Sequence, residues 1–389
     1  MKIVHMADSH LGFTSYSRVD KHGRNVVEGL FYQGFEQAVA KIIEINPDAV
    51  VHSGDVFHHV RPGIRPLYHF KVGLEKLQKA GIPVIIISGN HDSPKSFAGT
   101  SPFVIYQGMK GVHISRKYEY EFFEEGDYKF HCIPFCLDSS DYTTQFSKIE
   151  TSGKDVLVMH GLVESLRNRK LHTVGEHELN DSLLKKDFDY IALGHYHARA
   201  RIATNAWYSG SLEYFNFGEA RDKKGLLLVN LETGEVKPVD VRPRYMADLE
   251  PLDCSGLSTE EISERLMELC DPEVIKDKIV RVNLTNVDRS AYKNVNQASI
   301  NRLISPALYL KVRVDFAEEK ERRDREPIDR FSLQSEFEKF MEAEISRGLI
   351  PKSIKEDLVA YGSDLVKKAV SSGNTEVLDA PQQAKPSQL

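Results

Sequence analysis

Seven side chains able to ligate a metal stand at or just after the ends of short apolar runs. They are Asp8 and His10 after KIVHMA, Asp55 after DAVVHSG, Asn90 after PVIIIS, His160 closing DVLVMH, and His195 and His197 at the end of DYIALGH. The set offers two carboxylates, one amide oxygen and four imidazoles, with no sulfur. Nitrogen and oxygen donors without thiolate suit Mn, Fe, Zn or similar borderline ions rather than a structural zinc. One ion cannot use seven donors well, but two ions sharing a bridging carboxylate can. Such a pair, about 3.5–4 Å apart, is the usual device for attacking a phosphate ester, because it clamps phosphoryl oxygens and makes a hydroxide available near neutral pH. Any one of these histidines alone reads as a satisfied core or surface residue, as do His52, His69, His113 and His131. Asp8-x-His10 alone also arises by chance; five such motifs in register do not.

The elements that must position these groups follow from the apolar pattern. Strands are expected at 2–7, 48–54, 83–88, 155–160, 189–195 and 226–231, with helices at 28–46 and 66–81. Strand–helix alternation of this kind predicts α/β layers around a covered sheet. Loops at the carboxyl ends of strands are where open α/β folds build their sites. Gly54, Gly89 and Gly194 are expected to let the chain turn sharply off those strands. In the helix at 66–81, Leu67, Phe70, Leu74 and Leu77 read as core.

The chain has 389 residues, with 51 Lys and Arg against 57 Asp and Glu, a net charge of −6. Binding nucleic acid by bulk positive charge is thereby excluded, and any such contact needs a local basic face or metal ions. Cys132, Cys136, Cys254 and Cys270 form no CxxC pair and read as packed, reduced thiols. No apolar run reaches membrane-span length, and the N-terminus lacks the apolar core of a signal peptide. A cytoplasmic protein without membrane contact is expected.

Residues 13–25, FTSYSRVDKHGRN, carry Arg18, Lys21, His22 and Arg24, with Phe13 and Tyr16 interleaved. That suits contact with a phosphate backbone beside the site; the alternative is a solvated loop. Arg61 and Arg65 flank the second motif in the same way. Past residue 243 the pattern becomes a small α+β unit: a helix at 258–270 with a Ser258/Glu261 capping box, a strand at 279–287, a helix at 296–304 and a strand at 308–316. A mixed-charge run (317–330) leads to two amphipathic segments within 331–370, and the tail 371–389 has the composition of a disordered segment. Phe331, Leu333, Phe337, Phe340 and Met341 fall at helical spacing, as a partner-binding face or as packing for the second segment or the body of the protein.

The order DxH, GD, GNHD, H, GHxH over about residues 1–235 resembles the calcineurin-like metallophosphoesterase superfamily. ADSHLG, GDVFHHVRP, SGNHDSP and GHYHARARIATNAWYSGSLEYFNFGE further resemble the Mre-eleven/SbcD family of DNA double-strand-break nucleases. The resemblance implies an α/β, four-layer metallophosphoesterase β-sandwich flanked by helices (1–242), a small α+β capping domain (243–316) and a C-terminal helix-loop-helix (331–370). Two divalent ions, Mn first among them, are implied: one held by Asp8, His10, Asp55 and His197, the other by Asp55, Asn90, His160 and His195. His91 would protonate the leaving oxygen or stabilise transition-state charge. His58 would orient His91 or contact the scissile phosphate, and Asp92 would hold the loop or act directly. The resemblance further implies 3'-to-5' double-strand exonuclease and single-strand endonuclease activity by a two-metal-activated hydroxide. It also implies a homodimer, a nucleoid-associated location, and an SMC-like ABC ATPase partner whose coiled coil the helix-loop-helix grips. Two rivals are weighed beside it. One is a phosphodiesterase or phosphatase on small or protein substrates, although phosphoprotein phosphatases usually carry GDxVDRG and GNHE. The other is a non-catalytic DNA-end tethering subunit.

Overall fold

The computed structural model describes residues 1–96, 99–167, 178–185, 187–241, 245–293 and 306–317, with isolated positions at 341, 358 and 361–362. Its strands are β1 (Lys2–Met6), β2 (Ala49–His52), β3 (Val84–Ile87), β4 (Val112–Ser115), β5 (Glu121–Glu125), β6 (Tyr128–Ile133), β7 (Asp155–His160), β8 (Leu162–Val163), β9 (Glu178–Leu179), β10 (Tyr190–Gly194), β11 (Ala200–Arg201), β12 (Ala206–Tyr208), β13 (Leu226–Asn230), β14 (Glu235–Val239), β15 (Met246–Asp248), β16 (Leu252–Asp253), β17 (Ile279–Val287) and β18 (Tyr309–Phe316). Its described helices are α1 (Val26–Ile45), α2 (Ile64–Lys79), α3 (Ser139–Phe146), α4 (Glu164–Arg167), α5 (Thr259–Leu269), α6 (Pro272–Ile275) and α7 (Arg289–Lys293).

Two six-stranded sheets stack face to face, in the orders β14-β13-β1-β2-β3-β4 and β11-β12-β10-β7-β6-β5. The central strands are parallel, and β2, β3, β7 and β10 are buried along their whole length. Along β3, Val84 and Ile86 enter the core under α1 and α2, while Ile85 and Ile87 enter the core between the sheets. Along β7, Val156 and Val158 face the same inter-sheet core, while Leu157 and Met159 face the outer layer beside α3 and α4. This two-residue alternation, apolar on both sides, builds the helix–sheet–sheet–helix stack the sequence implied. The antiparallel hairpin β5–β6 escaped the sequence reading because charged residues break its apolar run.

Helix α1 starts where the Asn25 side chain accepts the Glu28 N–H at 3.1 Å. It ends at Asn46, whose left-handed backbone (φ 52°) precedes Pro47. Helix α2 sends Phe70, Leu74 and Leu77 into the core and leaves Ile64 and Tyr68 exposed.

In the third sheet, β17 carries β15 and β16 along one edge and β18 along the other, all parallel. Its apolar cluster includes Ile262 and Leu266 of α5, whose capping box has both bonds: Glu261 N–H to Ser258 Oγ at 3.2 Å and Ser258 N–H to Glu261 Oε2 at 2.8 Å. The sheet joins the main body through Val27, Phe31, Tyr214, Phe217, Tyr245 and Ile279. The segment 296–304, the linker, Phe331, Leu333, Phe337, Phe340 and the tail lie outside the described residues. Met341 is described, and its side chain is only 3% exposed.

Candidate metal centre

The loops after β1 and β2 continue side by side beyond the strands. Asp8 N–H donates to Gly54 O (3.0 Å), His10 N–H to Asp55 O (3.0 Å) and Leu11 N–H to Val56 O (2.8 Å). Residues that carry the polar groups have unusual backbone here. Asp8, His10, Asp55 and His195 all have positive φ, at 51°, 40°, 54° and 98°. Each such residue stores about 1–3 kcal/mol of strain, which surrounding structure must hold.

The glycines make room. A Cβ on Gly89 would lie 2.2 Å from Asp55 Oδ1, and one on Gly194 would lie 2.0 Å from Ser53 O. Only Gly54 of the three needs a left-handed backbone (φ 95°). For Gly89 and Gly194 the demand on the position is close approach of neighbouring chain.

The seven sequence-predicted ligands meet at one end of the sandwich, with His58 and His91. Asp55 sits at the centre. Its Oδ1 accepts the His91 backbone N–H at 2.8 Å, and its Oδ2 lies 3.4 Å from both His10 Nε2 and His160 Nε2. On one side, donor atoms of Asp8, His10 and His197 lie within 4.8 Å of one another; on the other, those of Asp55, His160 and His195 do. Asn90 Oδ1 lies 3.0 Å from His160 Nε2 and 3.1 Å from His195 Nδ1.

These contacts fit cations. His160 Nδ1 faces Ser53 O at 2.8 Å. A carbonyl only accepts, so Nδ1 carries a proton, and in the neutral ring Nε2 turns its lone pair toward Asp55 and Asn90, themselves acceptors. His10 Nε2 is buried and makes no hydrogen bond among the described residues. Acceptors converging in a buried space are what a divalent ion satisfies. The carboxylates favour positive charge between these groups: burial works against charging His160, yet Asp55 and Asp8 push it up to about 9, and a divalent ion would satisfy the same carboxylates in place of that proton. Burial also works against charging Asp55, yet His160 and His10 hold it well below the usual carboxylate range. His10 is driven well below the usual imidazole range by burial, so it stays a neutral ligand.

Asp92 resolves as the loop holder. Its Oδ1 accepts Gly89 N–H at 2.6 Å, and its Oδ2 accepts Val56 N–H at 2.6 Å and Phe57 N–H at 3.4 Å. It therefore ties the Asp55 loop to the Asn90 loop and has no face toward a substrate. His58 acts through two groups. Its carbonyl receives His91 Nδ1 at 3.0 Å, while its ring nitrogen lies 3.2 Å from His10 Nδ1.

Lys21, Arg24 and Arg61 are exposed, and Arg18 Nη1 donates to Ala307 O at 2.5 Å beside the third sheet. Arg65 pairs with Glu28 at 2.7 Å. Phe13 and Tyr16 of the 13–25 segment find ring partners within the fold. Phe13 packs edge-on against His58, and Tyr16 stacks on Tyr309 at 4.4 Å. Sequence reasoning missed Phe215, which stacks on His197 at 4.2 Å and meets His10 edge-on at 4.8 Å. Its signal was faint, one aromatic among several in YFNFGE.

A family model described as calcineurin-like phosphoesterase matches residues 1–219, more than half of the chain. A "DNA double-strand break repair protein Mre11" from Methanococcus maripaludis is 30% identical over 266 residues, covering 63% of this chain and 68% of that protein. The chain belongs to the Mre11 family of calcineurin-like phosphoesterases. Two further Mre11 proteins are similar. That of Methanocaldococcus jannaschii is 29% identical over 270 residues, covering 65% of this chain and 70% of the other. That of Sulfurisphaera tokodaii is 27% identical over 340 residues and covers 83% of each chain, so the similarity to Mre11 reaches beyond the phosphoesterase match. Among the described residues, no helix is long and apolar enough to cross a membrane.

Proposed function

We propose that this Mre11-family phosphoesterase is a manganese-dependent DNA nuclease, cutting duplex DNA from its 3' ends and single strands internally. The observation that carries the reading is the placement of Asp55 Oδ2, equidistant at 3.4 Å from His10 Nε2 and His160 Nε2, one in each half of a buried acceptor cluster. Asp8, His10, Asp55 and His197 would hold one ion, and Asp55, Asn90, His160 and His195 the other. Two such ions supply Lewis acidity toward phosphoryl oxygens and lower the pKa of water.

The chain's own groups do the rest. His91 keeps a proton on Nδ1 through the His58 carbonyl, so Nε2 is where it gains or releases one. Doubly protonated, it donates from Nε2 to the departing sugar oxygen. The His58 ring steadies His10 from behind, and Asp92 keeps the two ligand loops in register. Lys21, Arg24 and Arg61, exposed at the surface, are assigned to DNA phosphates, with Arg18 sharing its donors between DNA and Ala307.

A homodimer is part of the proposal, supported by the exposed Ile64 (84%) and Tyr68 (62%) one turn apart on α2. An SMC-like ABC ATPase partner, gripping the segment 331–370, and a nucleoid location rest on the Mre11 relationship. The test compares hydrolysis of duplex DNA, bis-p-nitrophenyl phosphate and a phosphopeptide with manganese present. Preference for DNA supports the nuclease. Preference for the phosphopeptide or the small diester supports the rival phosphatase or phosphodiesterase, and no hydrolysis of any of them supports the tethering subunit.

A further inference from the structure

His197 is held from behind by a buried ion pair that no part of the proposed mechanism uses. Its Nδ1 lies 3.3 Å from Glu219 Oε1. Glu219 Oε2 accepts from Lys224 Nζ at 2.7 Å and from the Phe215 backbone N–H at 3.3 Å. Lys224 Nζ also donates to Ser211 Oγ at 2.9 Å and to the carbonyl of His197 itself at 3.0 Å. An ammonium has three protons, and these three contacts use all of them. The Lys224 side chain is 5% exposed and that of Glu219 13%.

Such an arrangement is more than an incidental surface pair. A buried Lys–Glu pair contributes little net stability over a packed apolar pair, because both charges lose their water. What it does provide is a fixed carboxylate. Acceptor-only Glu219 requires the proton of His197 on Nδ1, which leaves the Nε2 lone pair for the side facing Asp8 and His10. Lys224 fixes the carboxylate and the His197 backbone together, so ring and main chain share one anchor. Phe215 stacks on the ring and limits its tilt.

We infer that Glu219, locked by Lys224, is a positioning residue that sets the tautomer, angle and basicity of His197 and thereby tunes the affinity of one of the two ions. Carboxylates behind ligating imidazoles typically change metal affinity by about 10–100-fold. The inference rests on the two-ion reading above, and its test separates the two.

Calorimetric titration of the metal-free full chain with manganese chloride, for wild type, Glu219→Gln and Lys224→Met, reads affinity without reference to catalysis. The ¹⁵N shifts of the His197 ring in metal-free protein report its tautomer. Glu219→Gln keeps the size of the side chain and removes its charge. It is expected to weaken one ion by about 10–100-fold, to leave the other within about threefold, and to mix the His197 tautomers. Lys224→Met is expected to follow in the same direction; if it does not fold, Glu219→Gln decides alone. Two ions bound by wild type and by Glu219→Gln with equal affinities would overturn the inference alone. Fewer than two ions bound by wild type would overturn the two-ion reading and this inference with it.

Discussion

The Nδ1–H of His91 donates to the backbone carbonyl of His58 across 3.0 Å. The contact belongs to the main chain of residue 58, so it survives loss of that side chain. His91→Ala is expected to keep manganese affinity within about threefold and lose about 10²–10⁴-fold in cleavage. His58→Ala is expected to do the reverse, loosening an ion through His10 with a smaller loss of rate at saturating metal. Calorimetry beside single-turnover cleavage checks both. A His58→Ala protein with full ion affinity and the rate loss of His91→Ala would contradict the assignment.

Gly89→Ala would drive a methyl group to within 2.2 Å of Asp55 Oδ1 and 2.5 Å of its backbone nitrogen. Asp55 faces both halves of the site, so both ions are expected to be lost while circular dichroism stays native-like. Gly29→Ala, in α1 with nothing near the added atom, is the control. It is expected to stabilise by roughly 0.5–1 kcal/mol. Retention of both ions by Gly89→Ala would count against a central Asp55.

The ligand set was legible because chemistry and position coincide: polar residues that end buried strands must cluster where the strands end. The boundaries of β7 and β17 were equally plain, since both are uninterrupted apolar or alternating runs. The second row was not legible. Glu219 and Lys224 reach His197 only because the chain after β12 folds back, a tertiary fact that sequence spacing does not encode. The same holds for Phe13 and Tyr16. An aromatic beside arginines reads as a nucleic-acid contact, yet each found a closer aromatic partner inside the fold. The crowding around Gly89 and Gly194 was not legible, because a glycine that makes room and one that turns the chain look alike in sequence.

Asp92→Ala leaves the buried N–H groups of Gly89, Val56 and Phe57 without their acceptor. Burial and the Asp55 carboxylate hold Asp92 well above the usual carboxylate range, so the cost is that of buried N–H groups left unsatisfied, about 1–3 kcal/mol, read as a lower urea midpoint of the metal-free protein. An unchanged midpoint would show that water or a rearranged loop replaces the carboxylate.

His5 is fully buried between Tyr190 Oη (2.9 Å) and Ser53 Oγ (2.8 Å). Burial, with a smaller push from His52, lowers its pKa to about 3. Unfolded, it titrates near 6.5. Between those values the unfolded chain takes up a proton that the folded chain refuses, so stability present above pH 6.5 falls as pH drops toward 3. By pH 5 the deficit for this one group is about 2 kcal/mol. Urea unfolding at pH 7.5 and pH 5.0 is expected to show a smaller acid loss for His5→Gln than for wild type, by about that amount. Equal losses would contradict the assignment.

The most direct measurement is cleavage of end-labelled duplex and hairpin DNA by wild type and His91→Ala across a manganese titration. The account expects wild-type cleavage that rises as two ions load, and a His91→Ala protein that binds metal and DNA but scarcely cuts. Wild-type protein that cuts no DNA form at saturating manganese, alone or with an ATPase partner, would contradict it.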